Sequence, residues 1–285
     1  MKDSKFWERV RHYAARRAFL TGKKVVQEFK RLSGSVDGGR KYVFVAGVQR
    51  SGTNMMMDVL GRSFECDVYH ETDPRAFDNY QMRDRNVIHG LAERSLAPVF
   101  VIKALCELQE LRSLMDEFLP AQVIWIMRHY EDVVNSILVS FQNRVQAIQN
   151  VIAHRGDDSW WLWRGVSDET YTVLKSLVHP EMNEASAAAL QWYLRNILFF
   201  EQGLDKDRRV LAVSYERLVK DPYEQFRQVF AFLGLKYSPR LVRQVFANSV
   251  RRRAPPEIEP RVKALCEDLS ERIAGVVTAG EMRYE

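Results

Sequence analysis

Val43-Phe44-Val45-Ala46-Gly47-Val48-Gln49-Arg50-Ser51-Gly52-Thr53-Asn54-Met55-Met56-Met57-Asp58-Val59-Leu60 is the run that decides the fold. It begins as a β-branched and aromatic segment, turns through two glycines and an arginine, and continues into an apolar helix start. A short buried strand feeding a tight loop and then a helix is the P-loop arrangement. Its glycines let successive N–H groups converge, and the helix N-terminus adds partial positive charge. Such a loop suits a phosphate-like anion. Gly47 and Gly52 have the GxxxxG spacing of an ATP-binding loop, in which Lys and then Ser or Thr should follow. Thr53 and Asn54 stand in those places, and the cation has moved into the loop as Arg50. The lysine that reaches the β/γ-phosphates and the hydroxyl that holds Mg²⁺ are missing, so a nucleotide kinase or NTPase is the weaker alternative.

The chain has 285 residues, enough for one large α/β domain. No apolar run approaches the roughly 18 residues of a membrane span, and the charged N-terminus has no signal-peptide core. Cys66, Cys106 and Cys266 lie far apart without CxxC, which points to reduced thiols and a cytoplasmic protein. No Cys/His cluster has zinc spacing, and no metal is expected. Residues 1–40 hold 11 Lys+Arg against 4 Asp+Glu, a net of +7; the whole chain is +5, so residues 41–285 come to −2. The basic character belongs to the arm, and it is no sign of nucleic-acid binding.

Residues 4–32 read as helical with a break near Thr21-Gly22, Val25, Phe29 and Leu32 forming an apolar stripe. The arm either docks on the domain with a solvated basic face or makes a peripheral contact with anionic lipid. The glycine-rich connector 33–39 separates this arm (1–40) from the domain (41–285). Within the domain, a strand is expected from Val43 up to the loop, and further strands at 66–70, 98–102, 122–127 and 209–214. Helices are expected after the loop, over 105–119, from Asp132 through Ile152 as one long helix, over 184–203, from Pro222 to Leu233, and over 259–274. Residues 75–96 read as irregular or helical. Alternating strands and helices make this an α/β protein, a single P-loop-like domain with a central parallel sheet flanked by helices. Ligands bind at the C-terminal ends of such strands. Arg50, Glu71, Lys103, Arg128 and Tyr215 all fall there.

Taken in order, these pieces resemble the sulfotransferase family, which uses 3′-phosphoadenosine 5′-phosphosulfate (PAPS) without a metal. Gly47 to Asn54 looks like its phosphosulfate loop. Arg128 and Ser136 look like its 3′-phosphate motif. Tyr215-Glu216-Arg217-Leu218 with Asp221-Pro222 and Phe232-Leu233-Gly234-Leu235 resembles its YEDL, DP and FLGL stretch. Lys103 and Glu71 sit where tyrosylprotein-type and bacterial members carry catalytic residues. The resemblance covers residues 41 to about 275. It departs at Gln49 and Asn54, where the family loop reads Pro and Thr, and at His129-Tyr130, where Asn/Asp-Pro is usual.

The resemblance implies sulfonate transfer to a hydroxyl or amine, the acceptor being a saccharide, glycolipid or small alcohol. Arg50, Ser51, Gly52, Thr53 and Asn54 would hold the 5′-phosphosulfate. Arg128 and Ser136 would grip the 3′-phosphate, with Ser249, Arg251, Arg252 and Arg253 as further contacts and Tyr215 beside the adenine. Arg50 and Lys103 would support the leaving phosphate. Glu71, 21 positions after Arg50, would be the base, with His70 as its rival; Glu71 capping the following turn is the plain alternative. Trp160-Trp161-Leu162-Trp163 reads as packing ahead of sugar stacking. A degenerate, non-catalytic nucleotide scaffold is the remaining alternative.

Overall fold

The computed structural model describes residues 19, 21–29, 40–155, 162, 164–246, 250 and 252–281. The linker 33–39, Trp160, Trp161, Trp163, Ser249 and Arg251 lie outside the described residues. A helix covers 21–29 (α1). It is followed by β1 (Lys41–Ala46), α2 (Thr53–Gly61), β2 (Cys66–Tyr69), β3 (Phe77–Asp78), β4 (Gln81–Met82), α3 (Arg85–Arg94) and β5 (Val99–Ala104). Then come α4 (Leu111–Glu117), β6 (Ala121–Met127), α5 (Tyr130–Ser140), α6 (Arg144–Ala153), α7 (Asp168–Leu177) and α8 (Glu184–Glu201). The chain continues through β7 (Val210–Ser214), α9 (Tyr215–Lys220), α10 (Pro222–Leu233) and α11 (Pro260–Glu281).

Five strands form one parallel sheet in the order β2-β5-β1-β6-β7. Successive strand residues face opposite sides, so each strand feeds two cores. Phe44, Ile102, Trp125 and Met127 enter the core under α5, α8 and α11; Val43, Val45, Val101, Ile124 and Ile126 enter the one under α2 and α10. Both faces are covered, which is why the strands read as continuous apolar runs. Each fully buried large side chain contributes about 1.5–3 kcal/mol. The same alternation puts Lys103 on the face of Val101, toward α2. From β1 the chain turns to β2 on one side, and from β6 it turns to β7 on the other, so a topological switch point opens between β1 and β6.

Four expectations are corrected. Residues 75–96 contain a two-stranded hairpin, β3–β4, before α3; its turn residues Asn79 and Tyr80 adopt positive φ without a glycine to announce it. The single helix expected from Asp132 to Ile152 is two, α5 and α6, broken where Asn143 adopts φ 58°. The helix expected over 105–119 shrinks to α4, because Arg195 from α8 takes the carbonyls of Leu105 and Cys106 and holds that stretch open. In α1, Thr21 and Gly22 lie inside the helix, and Val25 and Phe29 are exposed while Lys23 and Gln27 are buried.

Arg195 is fully buried, and desolvation pulls its guanidinium down to about 10. Nearby Glu107 receives the Met82 N–H on Oε1 at 2.7 Å, pinning β4 to the loop after β5. Its Oε2 is buried without a hydrogen-bond partner, and burial pushes the carboxyl up to about 7. The sign follows from linkage. The folded state holds this proton more tightly than the unfolded one, so the associated stability is complete below about pH 4.5 and is lost as pH rises through about 7. A shift of this size is worth up to about 3 kcal/mol. In urea unfolding, Glu107→Gln should remove this loss across the same window. An unchanged pH profile would show that Glu107 titrates normally.

Candidate active site

The loop between β1 and α2 takes its shape from two glycines. Gly47 has φ 147°, and a Cβ there would sit 2.6 Å from the Ile126 carbonyl oxygen. Gly52 has φ 99°, and a Cβ there would sit 2.3 Å from Cδ2 of Tyr215. Arg50 adopts φ 73°, a region few L-residues occupy. Two bonds fix it: its Nε donates to Ser136 Oγ at 2.8 Å, and its carbonyl accepts from Arg128 Nη1 at 2.9 Å. Those three residues therefore meet across the switch point. The N-terminus of α2 has no side-chain cap. Thr53 is buried there, as is Ser51, whose Oγ has no hydrogen-bond partner. A buried hydroxyl and an uncapped helix start pointing into one loop fit an anion.

Arg128 follows β6. Its guanidinium lies over the Tyr215 ring, 4.5 Å from the centroid, and 3.8 Å from Asp132 one turn along α5. Its carbonyl accepts from Trp192 Nε1 at 3.0 Å. Glu216 fixes the next residue by accepting the His129 N–H at 3.0 Å, so this turn closes without the proline usual in the family. Asp132, Trp192 and Glu216 are partners the sequence reading does not assign; only Asp132, four residues after Arg128, lies close to it in the chain. A cleft of about 210 Å³ opens beside Arg128, lined by Asp132, Trp192, Glu216 and residues of α11.

The second half of the site is Lys103 near the end of β5. It is 1% exposed, and its Nζ donates to Glu71 Oε1 at 2.6 Å and to Asn54 Oδ1. Burial pulls this ammonium below the ordinary lysine value, with Glu71 opposing. Asn54, a departure from the family loop, is thus engaged with the lysine. The turn after Glu71 is closed by Asp73, which accepts from the Arg75 N–H, rather than by Glu71. His70 Nε2 lies 3.9 Å from Asp58 on α2, and Asp58 also acts electrostatically on Lys103.

Arg252 and Arg253 are exposed, and among the described residues no hydrogen bond or ion pair joins them to Arg50, Arg128 or Ser136. Their segment nevertheless runs beside α5, since Asn135, next to Ser136, donates to Ala254 O at 3.0 Å.

The fold has known counterparts. The sulfotransferase domain from the curacin biosynthetic pathway superposes with a TM-score of 0.51 at 15% identity, covering 82% of this chain and 99% of that one. The sulfotransferase domain from the Synechococcus PCC 7002 olefin synthase gives 0.49 at 14%, covering 82% and 96%. Mouse sulfotransferase SULT7A1 complexed with PAP gives 0.45 at 15%, covering 88% and 93%. At such identities the first of these shows the fold. No curated protein sequence matches. The family model described as "Sulfotransferase domain" matches residues 40–252, well over half of the chain. Its span opens just before β1 and closes past the Tyr215 stretch, so the chain belongs to the sulfotransferase family and is a sulfotransferase.

Proposed function

We propose that the protein moves a sulfonate group from PAPS to a hydroxyl or amine of a saccharide, glycolipid or small alcohol, with residues 41–285 as the catalytic unit and 1–40 as an appended arm. One observation carries the reading of the donor. The partnerless Ser51 hydroxyl and the uncapped α2 N-terminus lie in a loop cross-linked to a second arginine and a serine. A donor bearing phosphates at both ends of its ribose needs two such anion sites side by side. Residues 50–54 suit the 5′-phosphosulfate, and Arg128 with Ser136 suits the 3′-phosphate, an arginine fork matching a fixed phosphate. Tyr215 is proposed as the neighbour of the adenine. Ser249 and Arg251 to Arg253 stay proposed as further phosphate contacts.

The chemistry requires a base and a charge stabiliser. As the acceptor oxygen or nitrogen bonds to sulfur, the bond from sulfur to the bridging phosphate oxygen breaks, and that oxygen leaves with the electron pair. The acceptor proton goes to the Glu71 carboxylate, while Lys103 and Arg50 face the charge growing on the leaving phosphate. Lys103 touches both the loop residue Asn54 and the proposed base Glu71, which ties the charge stabiliser to the base and to the loop.

Two experiments test this. Arg128→Ala should weaken 3′-phosphoadenosine 5′-phosphate by about 1.5–3 kcal/mol in calorimetry, the range for a hydrogen bond to a charged group. Adenosine 5′-phosphosulfate, which lacks the 3′-phosphate, should lose much less; equal losses for both would refute the 3′-phosphate role. Glu71→Gln should fold and bind donor nearly normally yet lose roughly 10²–10⁴ in turnover, the worth of a positioned base. His70→Ala should cost far less. An active Glu71→Gln beside a folded but inactive His70→Ala would exchange the two roles.

A further inference from the structure

Helix α1 is turned inside out. Its domain-facing residues are polar: Lys23 and Gln27, one turn apart, are 6% and 5% exposed. Lys23 Nζ donates to Gly61 O at 2.7 Å, and Gln27 Nε2 donates to Phe64 O at 3.0 Å. Its outward residues are apolar, with Val25 65% and Phe29 73% exposed and Val26 exposed between them. Positions 25, 26 and 29 share one helix face. A helix whose outer face meets only water has the reverse arrangement. Phe19, edge-on to Phe64 at 5.7 Å with both rings partly exposed, carries the apolar surface onto the domain.

Exposed cations lie on α1 and on the segment across the loop beneath it. Lys24 is exposed on α1 itself. Loop 61–65, on which α1 rests, is held from its other side by residues 236–246. Arg62 Nη1 donates to Leu241 O at 2.6 Å, and the Lys236 N–H donates to Glu65 at 2.9 Å. On that neighbouring segment Lys236, Arg240 and Arg243 are exposed, as is the ring of Phe246. The arm adds to the same sign, residues 1–40 carrying a net +7 against −2 for the rest of the chain.

We propose that this end of the molecule is a peripheral membrane-binding surface for anionic phospholipid. Val25, Val26 and Phe29 enter the headgroup–acyl boundary, and Lys24, Arg240 and Arg243 meet the phosphates. An apolar stripe with cations nearby is the chemistry of interfacial helices, and each basic residue near an anionic surface adds to the attraction. The loop precedes β2, so the surface lies at the N-terminal ends of the strands, opposite the rim that carries Arg50 and Lys103. An enzyme seated this way keeps its active site open to water. This inference is independent of the donor and acceptor proposed above.

Co-sedimentation of the full chain with vesicles tests it. The protein should pellet with mixed phosphatidylglycerol–phosphatidylcholine vesicles at about 50 mM salt, less at about 500 mM, and not with pure phosphatidylcholine. Val25→Glu with Phe29→Glu should lower the bound fraction about tenfold at unchanged melting temperature, since both side chains are exposed. In a separate variant, Phe29→Trp, emission should shift to the blue on anionic vesicles. Failure of the unaltered chain to pellet, or equal pelleting of the double variant, would overturn the proposal. A dimer in sedimentation velocity that the double variant dissolves, without vesicle binding, would also overturn it and give the face to a second copy.

Discussion

The contact between the Tyr215 ring and Gly52 is the constraint on which the rest of the site depends. The loop can close onto that ring only where no Cβ intervenes and only with the left-handed backbone that glycine tolerates. The same ring carries the Arg128 guanidinium. One aromatic side chain therefore positions both the β1–α2 loop and the arginine beside it. Tyr215 is itself fixed by the start of α9, where Ser214 caps the Arg217 N–H and Glu216 returns to Ser214 while reaching the His129 N–H. The ends of β1, β6 and β7 are thereby tied through one short helix start. A polar mesh of this kind replaces the rigidity that a proline after Gly47-Val48 or after Arg128 would supply.

Lys103 adds the second constraint. An ammonium almost fully removed from water is costly unless it is paired. Strand alternation forces it into the α2-side core, and Glu71 and Asn54 are what make that position tolerable. The replacement of the usual threonine by Asn54 then has a physical reading, since an amide oxygen reaches and accepts where a hydroxyl is shorter. It links the loop to the lysine–glutamate pair, so the two halves of the site share an edge.

Much of this was legible in the sequence because it depends on short-range pattern. The parallel sheet followed from β-branched runs separated by helical periods, and the rim residues followed from lying at strand ends. The missing parts depend on distant partners. Strands β3 and β4 are two residues each, and their turn uses Asn79 and Tyr80 where glycine would have announced it. The apolar spacing runs on through the break at Asn143, which hid the division of α5 from α6. In α1 a helical wheel assigns Val25 and Phe29 to the core. Lys23 and Gln27 are inside instead because carbonyls of the α2–β2 loop accept their hydrogens, and nothing within the helix encodes that.

Helix α8 shows why the polar interior matters for function. It is buried along nearly its whole length, yet two of its side chains spend their donors on the rim of the site. Trp192 bonds the Arg128 carbonyl, and Arg195, three positions later, bonds the carbonyls of Leu105 and Cys106 just past Lys103. One rigid helix thus braces the turn after Arg128 and the loop after the buried Lys103 from beneath. Hydrogen bonds in so dry a setting are expensive to break, because each orphaned group loses its full solvation. The two loops are thereby held in register with each other, so the core sets the distance between Arg128 and Lys103.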